Sequence, residues 1–190
     1  MFRYIKSSLS VFIFLTVLVG VVYPAVVWAI GQSAFSSRAN GSLITEDGKV
    51  VGSSLIAQSF TGDQWFQPRP SAVGFSGSAS GASNLSLKNP SLTGRVAILS
   101  EDYRKQNNLP KSTAVPADAV TQSGSGLDPD ISIANALLQA RRVARARSLS
   151  LGSVDSLIRK VASNSPTYLF GTTVVNVVVL NLELMKLQVR

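Results

Sequence analysis

LSVFIFLTVLVGVVYPAVVWAI, Leu9 to Ile30, runs 22 residues without a charge, and the charge-free interval around it extends from Ser7 to Ser37. As a helix it is roughly 33 Å long at 1.5 Å per residue, enough for a hydrocarbon core of about 30 Å. Fourteen of its residues are Val, Leu, Ile or Phe. At ~0.3–0.6 kcal/mol each they favour insertion by roughly 4–8 kcal/mol. A cleaved signal peptide is the competing reading, with Arg3 and Lys6 as its basic start and Val27-Trp28-Ala29 as its cleavage site. The apolar run exceeds an ordinary signal core, so a retained anchor is expected. Arg3 and Lys6 should hold the N-terminal end in the cytoplasm. The expected organisation is a cytoplasmic tail over residues 1–7, a transmembrane helix over 8–30 and an extracytoplasmic domain over 31–190.

Within the span, Pro24 lacks an amide donor and its ring crowds the carbonyl of Gly20. Gly20 and Pro24 share a helix face and leave a notch. It is either a simple kink or a seat for a partner helix, because small residues let backbones approach in lipid.

About 160 residues follow the anchor, enough for one domain with its own core. Cysteine and histidine are both absent, so disulfides, thiol chemistry, the usual general base and the usual transition-metal ligands are missing. Net charge is +8. Beside a membrane span this suits an anionic membrane face or an acidic protein better than nucleic acid. The carboxylate pairs are Glu46-Asp47, Glu101-Asp102 and Asp128/Asp130, with no visible catalytic partner. No catalytic residue and no metal set is expected.

Downstream, Gln32 to Gly41 reads as a polar connector. Asp47-Gly48 between two apolar runs signals a hairpin over Leu43 to Gly52, and Leu55-Ile56-Ala57 should continue its strand into the interior. The glycine- and serine-rich stretch from Thr61 to Pro90 carries Trp65 and Phe66, with Arg69 held extended between Pro68 and Pro70. Those aromatics predict an ordered loop docked on the domain or on a partner. Val96, Leu99 and Tyr103 predict a helix over Thr93 to Asn108, ended by Leu109-Pro110. Asp128-Pro129 reads as an N-cap and first helical residue, opening a helix to about Ser148. Its apolar stripe would be Ile133, Leu137, Ala140 and Ala144, with Arg141, Arg142 and Arg145 on the solvated side. Arg147 falls near the apolar stripe and should snorkel or pair with a carboxylate. Val154, Leu157, Ile158 and Val161 predict a further helix from Ser153, with Pro166 past its end. In TTVVNVVVLNLELMKL a short strand should pass into a helix capped by Asn176. The glycine-rich turn Ser123-Gly-Ser-Gly could bind an anion, but Asp128 and Asp130 already put negative charge there, which favours a plain capped helix start.

Seven segments occur in order: Tyr23-Pro24 in the span, then GSSLIAQSF (52–60), WFQPRPSA (65–72), SGASNL (80–85) with Asn89-Pro90, SGSGLDPDIS (123–132), RVARAR (142–147) and VVNVVVLNLEL (174–184). In these the chain resembles the C subunit of the bacterial Kdp-type ATP-driven potassium transporter over nearly its whole length. Ala57 and Ala82 stand where that family usually has glycine, and the family's Tyr-Asn pair is missing near Gly74-Phe75.

The resemblance implies an α+β chain: a single-span anchor with one extracytoplasmic α/β domain, and no activity of its own. Its partners would be a channel-like potassium-translocating subunit, a P-type ATPase subunit that hydrolyses ATP, and a small single-span subunit. The family is described as a catalytic chaperone that raises the pump's ATP affinity. A proposed nucleotide contact of the family matches Gln122, Ser123, Gly124 and Ser125. The expected topology conflicts with direct contact, because the domain lies outside while ATP is cytoplasmic. ATP and potassium are then handled by the complex, and no cofactor is expected on this chain. Gly20, Pro24, Trp65, Phe66 and Arg69 are the expected partner contacts, and Asp128 and Arg147 the expected structural residues. The alternative is a membrane-anchored cell-wall or carbohydrate-binding module, with Trp65, Phe66 and Tyr168 as a stacking platform.

Overall fold

The computed structural model describes residues 2–46, 48–163 and 171–188, and the chain divides into two compact units, Met1–Leu43 and Ile44–Arg190. In the first unit α1 (Phe2–Val17), a π-helical turn (Leu18–Val22) and α2 (Tyr23–Ala34) form one continuous helix. Its stretch Tyr4–Ala34 has a mean hydropathy of 2.5 and none of it is buried within the chain. A helix so apolar and so bare fits a membrane anchor. The π turn answers Pro24: the Tyr23 amide bonds five residues back, to Leu18 O. This wider turn accommodates the proline ring without a sharp break. A short helix α3 (Ser36–Ala39) follows where a polar connector was expected, tied to the anchor by reciprocal amide bonds between Gln32 and Asn40 of 3.1 and 3.3 Å.

Strands β1 (Leu43–Glu46) and β2 (Lys49–Ser53) pair as the expected hairpin; Asp47 of its turn lies outside the described residues, as do Pro166 and Tyr168. The strand does not continue into Leu55-Ile56-Ala57. The chain turns there, leaving Leu55 and Ile56 exposed and burying only Ala57, whose amide bonds Leu127 O at 2.8 Å. Helix α4 (Pro90–Gln106) begins three residues before the expected start. Asn89 caps it by accepting from the Ser91 amide at 2.9 Å, and Pro90 takes the first turn. Val96 and Leu99 are half-buried and Tyr103 is buried on the predicted stripe. A single helical turn, α5 (Ala117–Val120), comes next.

The core lies between β3 (Asp130–Ser132), α6 (Ile133–Ala146), α7 (Leu151–Ser163), β4 (Val174–Asn176) and α8 (Val177–Gln188). β3 and β4 are antiparallel, with Ile131 opposite Val175, and both side chains are buried. This pairing makes the domain α+β. The helix expected from Asp128-Pro129 starts later, because 130–132 is drawn into the sheet. Ser132 is its N-cap, accepting from the Asn135 amide at 3.1 Å, while Asp118 of α5 accepts from the Ser132 amide and hydroxyl at 2.8 and 2.9 Å. Val154, Leu157, Ile158 and Val161 point into the core as α7's spacing predicts, although that helix opens at Leu151. The strand-to-helix passage at Asn176 is also present, with Asn176 accepting from the Val179 amide at 3.1 Å.

Candidate functional site

Residues 63–69 belong to no strand or helix; the stretch runs from exposed Asp63 and Gln64 to insert Phe66 into the core. A buried backbone without a ladder must find partners elsewhere, and here side chains of α6 and α8 supply them. Arg142 Nη1 donates to the carbonyls of Asp63 (2.8 Å) and Trp65 (2.9 Å). Arg147 Nε donates to the carbonyl of Gln64 at 2.7 Å. Asn181 takes both polar groups of Phe66, accepting from its amide at 2.9 Å and donating to its carbonyl at 2.9 Å. Gln139 does the same for Gln67, at 2.8 and 3.1 Å. Each amide side chain thus imitates a neighbouring strand.

A second tier orients these groups. Arg142 Nε donates to Asn107 Oδ1 and its Nη2 to Gln139 Oε1, both at 2.9 Å. Gln139 Nε2 donates to Asn135 Oδ1 at 2.9 Å, and the Tyr103 hydroxyl donates to the same oxygen at 2.8 Å. Burial first, and then the Asp118 charge, holds that hydroxyl protonated well above the ordinary range. Burial also lowers the pKa of Arg142 and of Arg147, but a guanidinium remains charged in a protein.

The structure therefore corrects the arginine reading. Arg141 and Arg145 are exposed, but Arg142 is only 8% exposed and faces the loop. Arg147 lies at the apolar face as expected, but where snorkelling or a carboxylate was expected it is buried, with its Nε on the Gln64 carbonyl and its guanidinium 4.2 Å from the centroid of the Trp65 ring. Phe66 is fully buried and packs in the core, so it presents no surface to a partner; its aromatic character serves the domain itself. Trp65 is half-buried, with Arg147 on its face and Phe60 at 5.8 Å. A platform of Trp65, Phe66 and Tyr168 loses Phe66 to the core, and Tyr168 lies outside the described residues.

Arg69 turns toward its own domain. It pairs with Asp128 at 3.2 Å and donates to Thr121 O, Thr121 Oγ1 and Gln122 O at 3.3–3.4 Å. Asp128 is no helix cap: its other oxygen accepts from the Asp130 amide at 3.0 Å. Burial and then the Asp128 charge raise the pKa of Asp130.

The turn after Thr121 is a junction. Gln122 Oε1 accepts from Arg95 Nη1 at 3.0 Å, Ser123 Oγ from the Gly126 amide at 2.9 Å and Ser125 Oγ from the Leu127 amide at 3.1 Å. Ser125 O accepts from the Gly81 amide at 2.9 Å and Gly126 O from Ser71 Oγ at 2.6 Å. Gly126 sits at φ +70°, where a Cβ would meet Gly81 O at 2.8 Å. Gly124 is exposed with open space around it. The turn leads into β3, not into a helix. No helix N-terminus backs it as an anion site.

The pinning residues Asn107, Asn135, Gln139, Arg142 and Asn181 escaped the sequence reading. One signal was available: Asn181 sits four residues after Val177, on the buried face with Leu180 and Leu184. Asn135, Gln139 and Arg142 likewise recur at i, i+4, i+7, a polar stripe at core spacing.

The family model for the K+-transporting ATPase c chain, KdpC, matches residues 5–186. Relatives named potassium-transporting ATPase KdpC subunit share its length. The protein of Mycobacterium tuberculosis (strain ATCC 25618 / H37Rv) is 46% identical over 187 residues, covering 97% of this chain and 99% of the relative. That of Pseudomonas savastanoi pv. phaseolicola (strain 1448A / Race 6) is 47% identical over 184 residues, covering 96% and 93%. The Janthinobacterium (strain Marseille) protein is 44% identical over 186 residues, covering 94% and 96%. With the match spanning both the anchor helix and the pinned-loop domain, the chain belongs to the KdpC family, the c chain of K+-transporting ATPases.

Proposed function

We propose that this chain is a non-catalytic subunit that acts on the potassium pump from outside the membrane. The anchor would keep its N-terminal end cytoplasmic, and ATP hydrolysis would belong to a P-type subunit beside a channel-like translocating subunit. Partner contacts would come from the Gly20–Pro24 face of the span and from the exposed parts of the loop around Trp65 and Arg69. The small Gly20 side suits this, since small residues let helix backbones approach closely in lipid. A rise in ATP affinity would then be a coupling effect, requiring contacts that differ between two states of the pump.

The observation that carries the reading is the state of the turn matched to the family's nucleotide contact. The side chains of Gln122, Ser123 and Ser125 are occupied within the domain, and Asp128 and Asp130 adjoin them. Two nearby carboxylates and two committed hydroxyls suit a structural junction better than a triphosphate. Photo-crosslinking with azido-ATP in sealed, oriented vesicles tests it. With nucleotide confined to the cytoplasmic side, no label is expected on residues 120–130; label there overturns the reading.

A further inference from the structure

Beside the pinned loop lies a cavity of about 240 Å³. Pro68, Phe60, Phe75 and Leu99 give it apolar and aromatic walls, and Asp102 and Gln106, four residues apart on α4, add polar groups from one helix face. The buried polar groups that also reach it are committed elsewhere: the Tyr103 hydroxyl and Gln139 both donate to Asn135 Oδ1. Its two charged lining residues are Arg69 and Asp102. Arg69 faces Asp128 at 3.2 Å, whereas among the described residues Asp102 has no ion-pair partner. The cavity therefore combines aromatic walls with one solvent-exposed carboxylate that no described cation pairs.

We infer that this cavity is a receptor for a single alkylguanidinium group, the chemistry of an arginine side chain. Its volume falls below the ~300–1,000 Å³ of cofactor and drug-sized sites, which matches one side chain better than a nucleotide or an oligosaccharide. The rings of Phe60 and Phe75 suit a flat, weakly hydrated cation, and the Asp102 carboxylate suits its forked donors. The apolar walls would cover the methylene stem. The guanidinium can come from an arginine on an extracytoplasmic loop of a partner subunit or from a free small molecule. Only the first source rests on the subunit reading.

The test uses the full-length chain in lipid nanodiscs, with N-acetyl-arginine methylamide as probe, its citrulline counterpart as neutral isostere, and calorimetry as readout. The arginine probe should bind about tenfold more tightly than the citrulline one, and Asp102→Asn should remove that difference, a loss of about tenfold or 1.4 kcal/mol. Leu99→Trp, which fills the cavity, should abolish binding, and Glu101→Gln, outside the lining, should leave it unchanged. Absence of binding to the wild-type chain, or equal binding of both probes, overturns the proposal. So does an Asp102→Asn variant that keeps its melting temperature and its full affinity. A charge-reversing Asp102→Arg substitution in the co-expressed complex separates the sources. Recovery reduced about fivefold supports a partner's arginine; wild-type recovery of the variant complex, with the wild-type chain binding the probe and the variant chain not, supports a free guanidinium. Failure of the wild-type chain to co-purify with any pump subunit would instead defeat the subunit reading, leaving the probe result standing.

Discussion

Asn181 holds Phe66 by both of its backbone polar groups, at 2.9 Å each, across 115 residues of sequence. The pair does the work of a β-bridge with one side chain. Asn181→Ala leaves a buried N–H and a buried C=O unsatisfied, at ~1–3 kcal/mol each, so a loss of roughly 2–5 kcal/mol is expected in denaturant unfolding of the detergent-solubilised chain. In native-state hydrogen exchange the wild-type Phe66 and Gln67 amides should exchange as slowly as the core helices. A cost below about 0.5 kcal/mol, typical of an unengaged surface site, would contradict the pinned loop.

Two neighbouring arginines separate buried from solvated roles. Arg142→Ala removes a charge that four buried or half-buried acceptors surround, and should cost roughly 3–5 kcal/mol. Exposed Arg145→Ala should stay within about 0.5 kcal/mol. Arg147→Ala should also cost a few kcal/mol, about that of a lost buried charge with its aromatic contact, and exposed Arg141→Ala well under ~1 kcal/mol. Thermal melts of the four variants check the order, and equal melting temperatures for Arg142→Ala and Arg145→Ala would refute it.

What could be read from the sequence followed apolar periodicity. The span is one continuous apolar helix, the stripe of α7 buries what its spacing says it should, and the β4–α8 passage at Asn176 is in place. Two misread places have a polar cause. Asp128 looked like a cap because caps are local, but a distant cation, Arg69, claimed it. Arg142 was placed with Arg141 and Arg145 by charge, although a loop without a strand partner needs buried donors, and no apolar pattern encodes that demand. Leu55 and Ile56 were expected inside on hydrophobicity alone and stand exposed.

Gly126 and Gly124 offer a contrast within one turn. At φ +70°, with Gly81 O 2.8 Å from its missing Cβ, Gly126 should lose roughly 2 kcal/mol or more on substitution by alanine. Gly124 has open space, and its alanine variant should melt within about 2 °C of wild type, as for a ΔΔG under ~0.5 kcal/mol.

Asp130 sets a pH signature. Burial and Asp128 raise its pKa above 3.8, so the folded state binds this proton more tightly than the unfolded chain does. Its contribution to stability falls as pH rises from that ordinary value through the folded one, and stays low at neutral pH. Asp130→Asn should therefore raise the melting temperature at pH 7, with the gain vanishing as pH drops below the ordinary carboxylate range. A gain that grows toward acid would reverse the sign and refute the assignment.

On the function proposed above, the turn at Gln122 supports the domain and binds no nucleotide. Steady-state ATP titration of the assembled complex carrying Gln122→Ala tests it most directly. The account predicts normal assembly and a KM for ATP within about twofold of wild type, since only the Arg95 bond is lost. A KM raised about tenfold in a fully assembled complex, equivalent to ~1.4 kcal/mol of nucleotide binding, would contradict it.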